Sequence, residues 1–155
     1  MTITYAVEPD LSADAFIDVL HRSTLAERRP VDDRARIEKM LANADLIVTA
    51  RLKQGDGDGL LVGVSRAVTD FSFCCYVSDL AVDQAVQGAG IGRALMKRTW
   101  AEAGEQGSFL LLSAPSAMTY YPQAGLDTFG NCFGLKRPWP QDGEPEDGGA
   151  KDGGA

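Results

Sequence analysis

The sequence predicts a mixed α/β domain in which strands outnumber helices, in the order β-α-α-β-β-β-α-β-α-β. Three observations carry this reading. Short apolar segments alternate or run continuously between glycine, proline and aspartate clusters, as strands do. Other segments repeat their apolar residues at helical spacing. The chain has 155 residues, 45% of them hydrophobic and 24% charged, which is enough to close one core. A sheet built this way needs helices on both faces.

Ile3, Tyr5 and Val7 alternate with polar or small residues and form a half-buried strand ended by Pro9. Ser12 then caps a helix on which Phe16, Val19, Leu20 and Thr24 fall at i, i+3, i+4 and i+8, and Pro30 ends any continuation. Asp32 or Asp33 caps a second helix carrying Ile37, Met40, Leu41 and Ala44 on one face. The runs DLIVTARL and GLLVGVSRAV, joined by the turn-forming QGDGDG, make a hairpin. A third run, CCYVSDLAV from Cys74 to Val82, leads through a glycine-rich turn into the helical stretch GIGRALMKRTWAEAG. FLLLSA is a further strand, AMTYYPQAGL is helix-compatible, and TFGNCFGLKR is a last β-like run before Pro138 and Pro140.

Fifteen basic and 22 acidic side chains give a net charge of −7. Part of this is local: after Pro140, Asp142, Glu144, Glu146, Asp147 and Asp152 face only Lys151. That stretch is rich in glycine and has no aliphatic residue larger than alanine, so burial cannot offset its ordering entropy. Residues 140–155 are therefore expected to be a disordered acidic tail behind a folded domain at 1–139. The body remains mildly acidic, which disfavours nucleic acid, whose binding rests on lysine and arginine clusters, and leaves small cationic partners open. No apolar run approaches the roughly 18 residues of a membrane helix. The start MTITYAVEPD lacks the cationic and apolar regions of an export signal, so the expected location is the cytoplasm, with no membrane partner.

Several residues with chemical potential have plainer readings. Cys74, Cys75 and Cys132 match no zinc spacing and no disulfide framework, and are expected to be buried thiols with no metal. Asp56-Gly57-Asp58-Gly59 lacks the spacing of a calcium loop and is a turn. His21 falls about 140° from Phe16 on a helix turning 100° per residue, so it points to solvent.

Chemistry is expected where a strand, a glycine turn and a helix follow one another in DLAVDQAVQGAGIGRAL. The first N–H groups of a helix have no intrahelical acceptor, and with the helix dipole behind them they suit phosphate oxygens. Gly88, Gly90 and Gly92 let the backbone approach a ligand. Arg93 and Ala94 follow Gly92 where a mononucleotide loop requires Lys-Ser/Thr, and neither register supplies the third glycine of a dinucleotide fingerprint. What remains is Gln87-Gly88-Ala89-Gly90-Ile91-Gly92, of the form Q-x-x-G-x-G.

In this strand-to-helix setting the motif resembles the pyrophosphate loop of the GNAT acyltransferase superfamily. Tyr120-Tyr121-Pro122-Gln123-Ala124-Gly125-Leu126 is similar to a second signature of that superfamily, at the expected distance. The element order agrees over nearly all of residues 1–139. One departure is Ala114, where many relatives carry asparagine; Ser113 and Ser116 are the nearby hydroxyls that could take its place.

The resemblance implies a GNAT-type, mostly antiparallel twisted sheet flanked by helices, with acetyl-CoA as cosubstrate, no metal, a small-molecule amine acceptor and a possible homodimer. It places the acyl-CoA pyrophosphate on Gln87, Gly88, Ala89, Gly90, Ile91, Gly92 and Arg93. Leu80, Ala81 and Val82 would offer backbone groups to the pantetheine amides, provided that their strand and the one at Phe109 to Ala114 splay apart. Tyr121 takes the position of the acid that protonates the departing thiolate. A base is also needed, because an alkylamine is mostly protonated at neutral pH. Asp79 is the nearest candidate; it also suits a solvated strand end, and a water relay to a remote carboxylate would serve equally. The implied activity is N-acetylation of an amine. A non-catalytic acyl-CoA sensor and acetylation of protein or peptide amines are the alternatives.

Overall fold

The structure, a computed structural model, describes residues 1–55 and 57–135. The chain divides into two compact units, Met1–Leu112 and Ser113–Ala155.

The first unit is a five-stranded sheet with helices on both faces. Its elements are β1 (Ile3–Val7), α1 (Ala13–Arg22), a 3-10 turn (Leu25–Arg28), α2 (Arg34–Ala42), β2 (Leu46–Leu52), β3 (Leu60–Thr69), β4 (Cys74–Val82), α3 (Ile91–Ala103) and β5 (Ser108–Leu111). The strand order is β1-β2-β3-β4-β5. Every pairing is antiparallel except β4 with β5, which is parallel because α3 crosses over between them.

The caps follow the sequence. Ser12 accepts the Ala15 N–H at 3.3 Å to start α1, and Asp33, rather than Asp32, accepts the Arg36 N–H at 3.0 Å to start α2. Thr24 is not on the helical face: α1 ends at Arg22, and Thr24 has a left-handed backbone with φ 69°. Ala44 likewise lies beyond the end of α2.

Alternation along the strands separates two cores. On one face Phe16, Val19 and Leu20 of α1 and Ile37 and Leu41 of α2 pack on Ile47, Leu61, Val64 and Ala81. On the other, Ile91, Leu95 and Ala103 of α3 pack on Val48, Val62, Ala67 and Val77. Burying each large side chain of this kind contributes about 1.5–3 kcal/mol. The α3 face is drawn close to the sheet at Gly63, where a Cβ would come within 2.9 Å of the Leu95 side chain and 3.3 Å of Ile91. A buried hydroxyl pair adds to it, with Thr99 Oγ1 2.8 Å from Ser65 Oγ.

In the second unit a 3-10 turn (Pro115–Ala117) precedes α4 (Tyr120–Ala124), which ends at Gly125 with φ 99°. Only glycine adopts that backbone cheaply. The expected last strand does not form over the described residues of TFGNCFGLKR. Gly130 and Gly134 interrupt the run, and Phe129, Phe133 and Leu135 are all exposed, so it has no buried face to hold it flat. Lys136, Arg137 and the tail at 140–155 lie outside the described residues.

The cysteine expectation is also corrected. Cys75 is buried, whereas Cys74 and Cys132 are exposed. Adjacent strand residues face opposite sides of a sheet, so the Cys74-Cys75 pair cannot both enter one core.

Candidate functional site

β5 ends while β4 continues. Their parallel pairing runs from Cys74 with Ser108 to Val77 with Leu111 and stops, while β4 continues to Val82. β3 covers the other edge of β4 as far as Val82. From Ser78 to Val82, then, the β5-facing backbone groups of β4 have no strand partner. The pantetheine reading asked for two strands that splay apart; the observed feature is a β4 edge left without a strand partner where β5 ends.

At the end of this opening the chain turns from β4 into α3. Gly88 and Gly90 have φ of 83° and 79°, and a Cβ at either would meet nothing within 4 Å. Glycine is therefore demanded by the backbone and not by crowding, and the space above the turn is open. Gly90 is the N-cap of α3 and offers no side-chain cap. Among the described residues, no backbone N–H from Gly88 to Arg93 donates to a protein acceptor. These donors sit at the positive end of a 13-residue helix, and the Arg93 side chain in its first turn is exposed. Such a helix start can bind phosphate oxygens.

Gln87 has a different place from its neighbours. Its side chain turns back and donates to the Val82 carbonyl at 2.9 Å, bracing the turn. Asp83 braces it as well: Oδ1 accepts the Ala85 N–H at 2.9 Å and Oδ2 accepts from Arg22, whose Nη2 also donates to the Leu61 carbonyl. The C-terminus of α1 is thereby tied to the start of the turn. Arg22 and Asp83 escaped the sequence reading; the only signal was an aspartate directly after a strand with a free N–H two residues on.

Asp79 is wholly enclosed, with a side-chain exposure of 0%. Oδ1 accepts from Arg29 Nε and Oδ2 from Arg66 Nε. Arg29 comes from the segment between the first 3-10 turn and α2, and its Nη2 also donates to the Ser78 carbonyl at 2.7 Å. Arg66 lies opposite Asp79 on β3 and reaches the Ser78 hydroxyl at 2.9 Å. The expected base therefore has both oxygens occupied by guanidinium groups, a geometry that counts against proton abstraction and in favour of an anchoring role. An arginine inside the apolar run GLLVGVSRAV was a legible sign that the neighbouring strand must supply an acid.

Tyr121, the expected acid, is half-buried on α4, with its ring centroid 5.2 Å from that of Tyr120 in an edge-to-face arrangement. Ser113 donates to the Ala114 carbonyl at 2.7 Å, so its hydroxyl serves the local chain. Thus Leu80 to Val82, the turn from Gln87 and the start of α3 form one continuous feature of the first unit. Tyr121 belongs to the second unit.

A family model described as an acetyltransferase (GNAT) domain matches residues 45–125, more than half of the chain. Solved structures of the same fold include a GNAT-family acetyltransferase from Streptococcus pneumoniae, with a TM-score of 0.69 and 20% identity over 91% of this chain and 99% of that one. Glucosamine-6-phosphate N-acetyltransferase from Arabidopsis thaliana gives a TM-score of 0.61 at 14% identity, covering 89% of this chain and 100% of that one. An aminoglycoside acetyltransferase from an uncultured soil sample, solved with sisomicin, gives 0.62 at 18% identity, covering 90% and 96%.

Proposed function

This chain belongs to the GNAT acetyltransferase family, and from that premise we propose that it is an N-acetyltransferase moving the acetyl group of acetyl-CoA to the amine of a small acceptor. The observation that carries the reading is the end of β4–β5 pairing at Val77, with β4 running on to Val82 without a strand partner on that side and then into a turn whose N–H donors, at Gly88 to Arg93, no protein acceptor takes among the described residues. One ligand with a diphosphate at one end and an amide-rich arm beyond it matches both halves.

In this reading the diphosphate of acetyl-CoA accepts from the N–H groups of Gly88 to Arg93, with Arg93 adding charge. Gln87 holds the turn in place through its bond to the Val82 carbonyl. The pantetheine amides pair with backbone groups along the β5-facing edge of Leu80, Ala81 and Val82, where the Val82 carbonyl already accepts from Gln87. An extended arm of a dozen bonds spans about 14 Å, or about four strand residues at 3.3 Å each. Its sulfur then lies level with Ser78, just beyond the last β4–β5 rung.

The acceptor nitrogen, as the free amine, attacks the thioester carbonyl carbon. A C–N bond forms, the C–S bond breaks and its electron pair goes to sulfur. The Tyr121 hydroxyl gives its proton to that thiolate and is reprotonated from solvent. The proton lost by nitrogen goes to water, since Asp79 is committed to Arg29 and Arg66. Most of the acceleration comes from holding amine and thioester together.

Neighbours of the same fold, glucosamine-6-phosphate N-acetyltransferase and the aminoglycoside acetyltransferase solved with sisomicin, support a small amine acceptor over a macromolecular one. Incubation with acetyl-CoA and a panel of small amines, followed by free-thiol release and mass spectrometry of the acetylated product, tests the reading. A product 42 Da heavier than one panel amine supports it. Acetylation of added peptide alone would instead favour the protein-amine alternative, and acetyl-CoA binding without any turnover would favour the sensor.

A further inference from the structure

The cluster beneath the α1–α2 connection carries two cations and one anion. Arg29, Arg66 and Asp79 have side-chain exposures of 22%, 8% and 0%, and among the described residues no second carboxylate pairs with either arginine. Removing charge from water is costly unless it is matched, so an unmatched guanidinium this deep is an imbalance in an otherwise acidic protein. Each guanidinium also has donor capacity to spare. Arg29 makes three bonds, to Asp79, the Ser78 carbonyl and the Arg28 carbonyl, and Arg66 makes three, to Asp79, the Ser78 hydroxyl and the Met40 carbonyl. A guanidinium carries five N–H donors.

The place of the cluster gives the imbalance a meaning. Ser78 and Asp79 are the first β4 residues beyond the last β4–β5 rung, Val77 with Leu111. Asp79 stands two residues before Ala81, whose side chain joins the α1–α2 core, so the cluster faces away from α3. The proposed cosubstrate occupies the edge of β4 and the turn into α3. Arg29, which bonds the Ser78 carbonyl, is the more exposed of the two arginines, so it is the member of the cluster that meets solvent next to Ser78.

We propose that Arg29, backed by Arg66, binds an anionic group of the acceptor, so that the substrate is an amine that also carries a carboxylate or a phosphate. This rests on the acetyltransferase reading above and narrows its substrate class. The net charge of the chain alone would favour a purely cationic amine. The local charge, one guanidinium in excess beside the reacting position, selects a zwitterion. Planar guanidinium donors suit the paired oxygens of either anion, and an acceptor of this kind supplies the missing counter-charge.

The test uses the full chain, acetyl-CoA and matched acceptor pairs. One arm compares amino acids with their amides; the other compares aminoalkyl phosphates with the parent amino alcohols. The expected result is that kcat/KM for the anionic member of one arm exceeds that of its neutral partner by about tenfold or more. The arm in which this happens identifies the anion. Arg29→Gln should bring that ratio close to one, mainly through KM, and Arg29→Lys should restore part of it. A ratio taken within one variant is blind to any loss of folded protein. Equal or better turnover of the neutral members in the wild type, or an unchanged ratio in Arg29→Gln, would overturn the proposal. So would binding of acetyl-CoA with no acetylation of any anionic amine. Failure of acetyl-CoA to bind at all would instead remove the acetyltransferase reading, and this inference with it.

Discussion

Val77 and Leu111 form the last rung between β4 and β5, and β4 runs on to Val82 without a partner on that side. A parallel pair that ends while one strand continues leaves backbone donors and acceptors of the longer strand without a strand partner on that side. Here that edge leads to the turn before α3. The expectations below follow from what lines that path.

Tyr121→Phe removes one hydroxyl and leaves the ring. Turnover is expected to fall by roughly 10² to 10⁴, the usual contribution of a positioned acid, while the fold and acetyl-CoA affinity survive. Tyr120→Phe is the control, with a loss of less than about threefold. Single-turnover acetyl transfer by both variants decides it. Equal rates for wild type and Tyr121→Phe would take the tyrosine out of the mechanism.

Asp79→Asn separates a base from an anchor. As an anchor between Arg29 and Arg66, Asp79 should cost about 3–5 kcal/mol of folding stability when its charge is removed, because two guanidinium groups then lose their counter-ion. Denaturant unfolding measures this, and the pH profile of the remaining activity should keep the wild-type shape. A stable variant with no activity and a lost acidic limb would restore Asp79 as the base.

The sheet, its helices and the glycine turn were legible because each is written locally, in alternation, helical spacing or residues that permit positive φ. The β4 run CCYVSDLAV matches its strand from Cys74 to Val82. The last β-like run misled, since aromatic residues alone do not make a strand when Gly130 and Gly134 break it and no face is buried. The Arg29–Asp79 and Arg22–Asp83 ties join residues 50 and 61 positions apart, a relation that periodicity does not encode. The sequence reading asked for a splay of β4 and β5 and did not place the end of their pairing at Val77 and Leu111. That end depends on where two strands stop, the least sharply written feature of a sequence.

Arg22→Met should loosen the turn without emptying the site of ligand groups. Asp83 would lose its ion pair while keeping the Ala85 N–H, and the partial exposure of Arg22 limits the cost to about 1–2 kcal/mol. Acetyl-CoA affinity is expected to drop about five- to tenfold, with acceptor KM little changed. Isothermal titration measures the first and steady-state kinetics the second. An unaltered acetyl-CoA affinity would show that the turn holds its shape without α1.

Acid stability should carry a mark from Asp70. Its carboxylate accepts the N–H groups of Cys74, Phe73 and Ser72 in the β3–β4 turn, which lowers its pKa from 3.8 to about 2. A depressed carboxylate stabilises the fold at pH above its unfolded value, and that contribution is lost as pH falls from about 4 toward about 2. Asp70→Asn should flatten the stability–pH curve in that window and leave its slope above pH 5 unchanged. Denaturant unfolding at a series of pH values tests this; identical curves would contradict it.

Binding of acetyl-CoA to the full chain is the most direct test of the whole account. Followed by backbone amide NMR, the titration should move the resonances of Gly88 to Arg93 and of Leu80 to Val82 together. Stability should rise by about 2.7 kcal/mol at a hundredfold excess over the dissociation constant. Gly90→Val, which forces a β-branched residue into φ 79°, should abolish both effects while the chain stays folded. Saturable binding that leaves those amides unmoved, or that survives intact in Gly90→Val, would contradict the account.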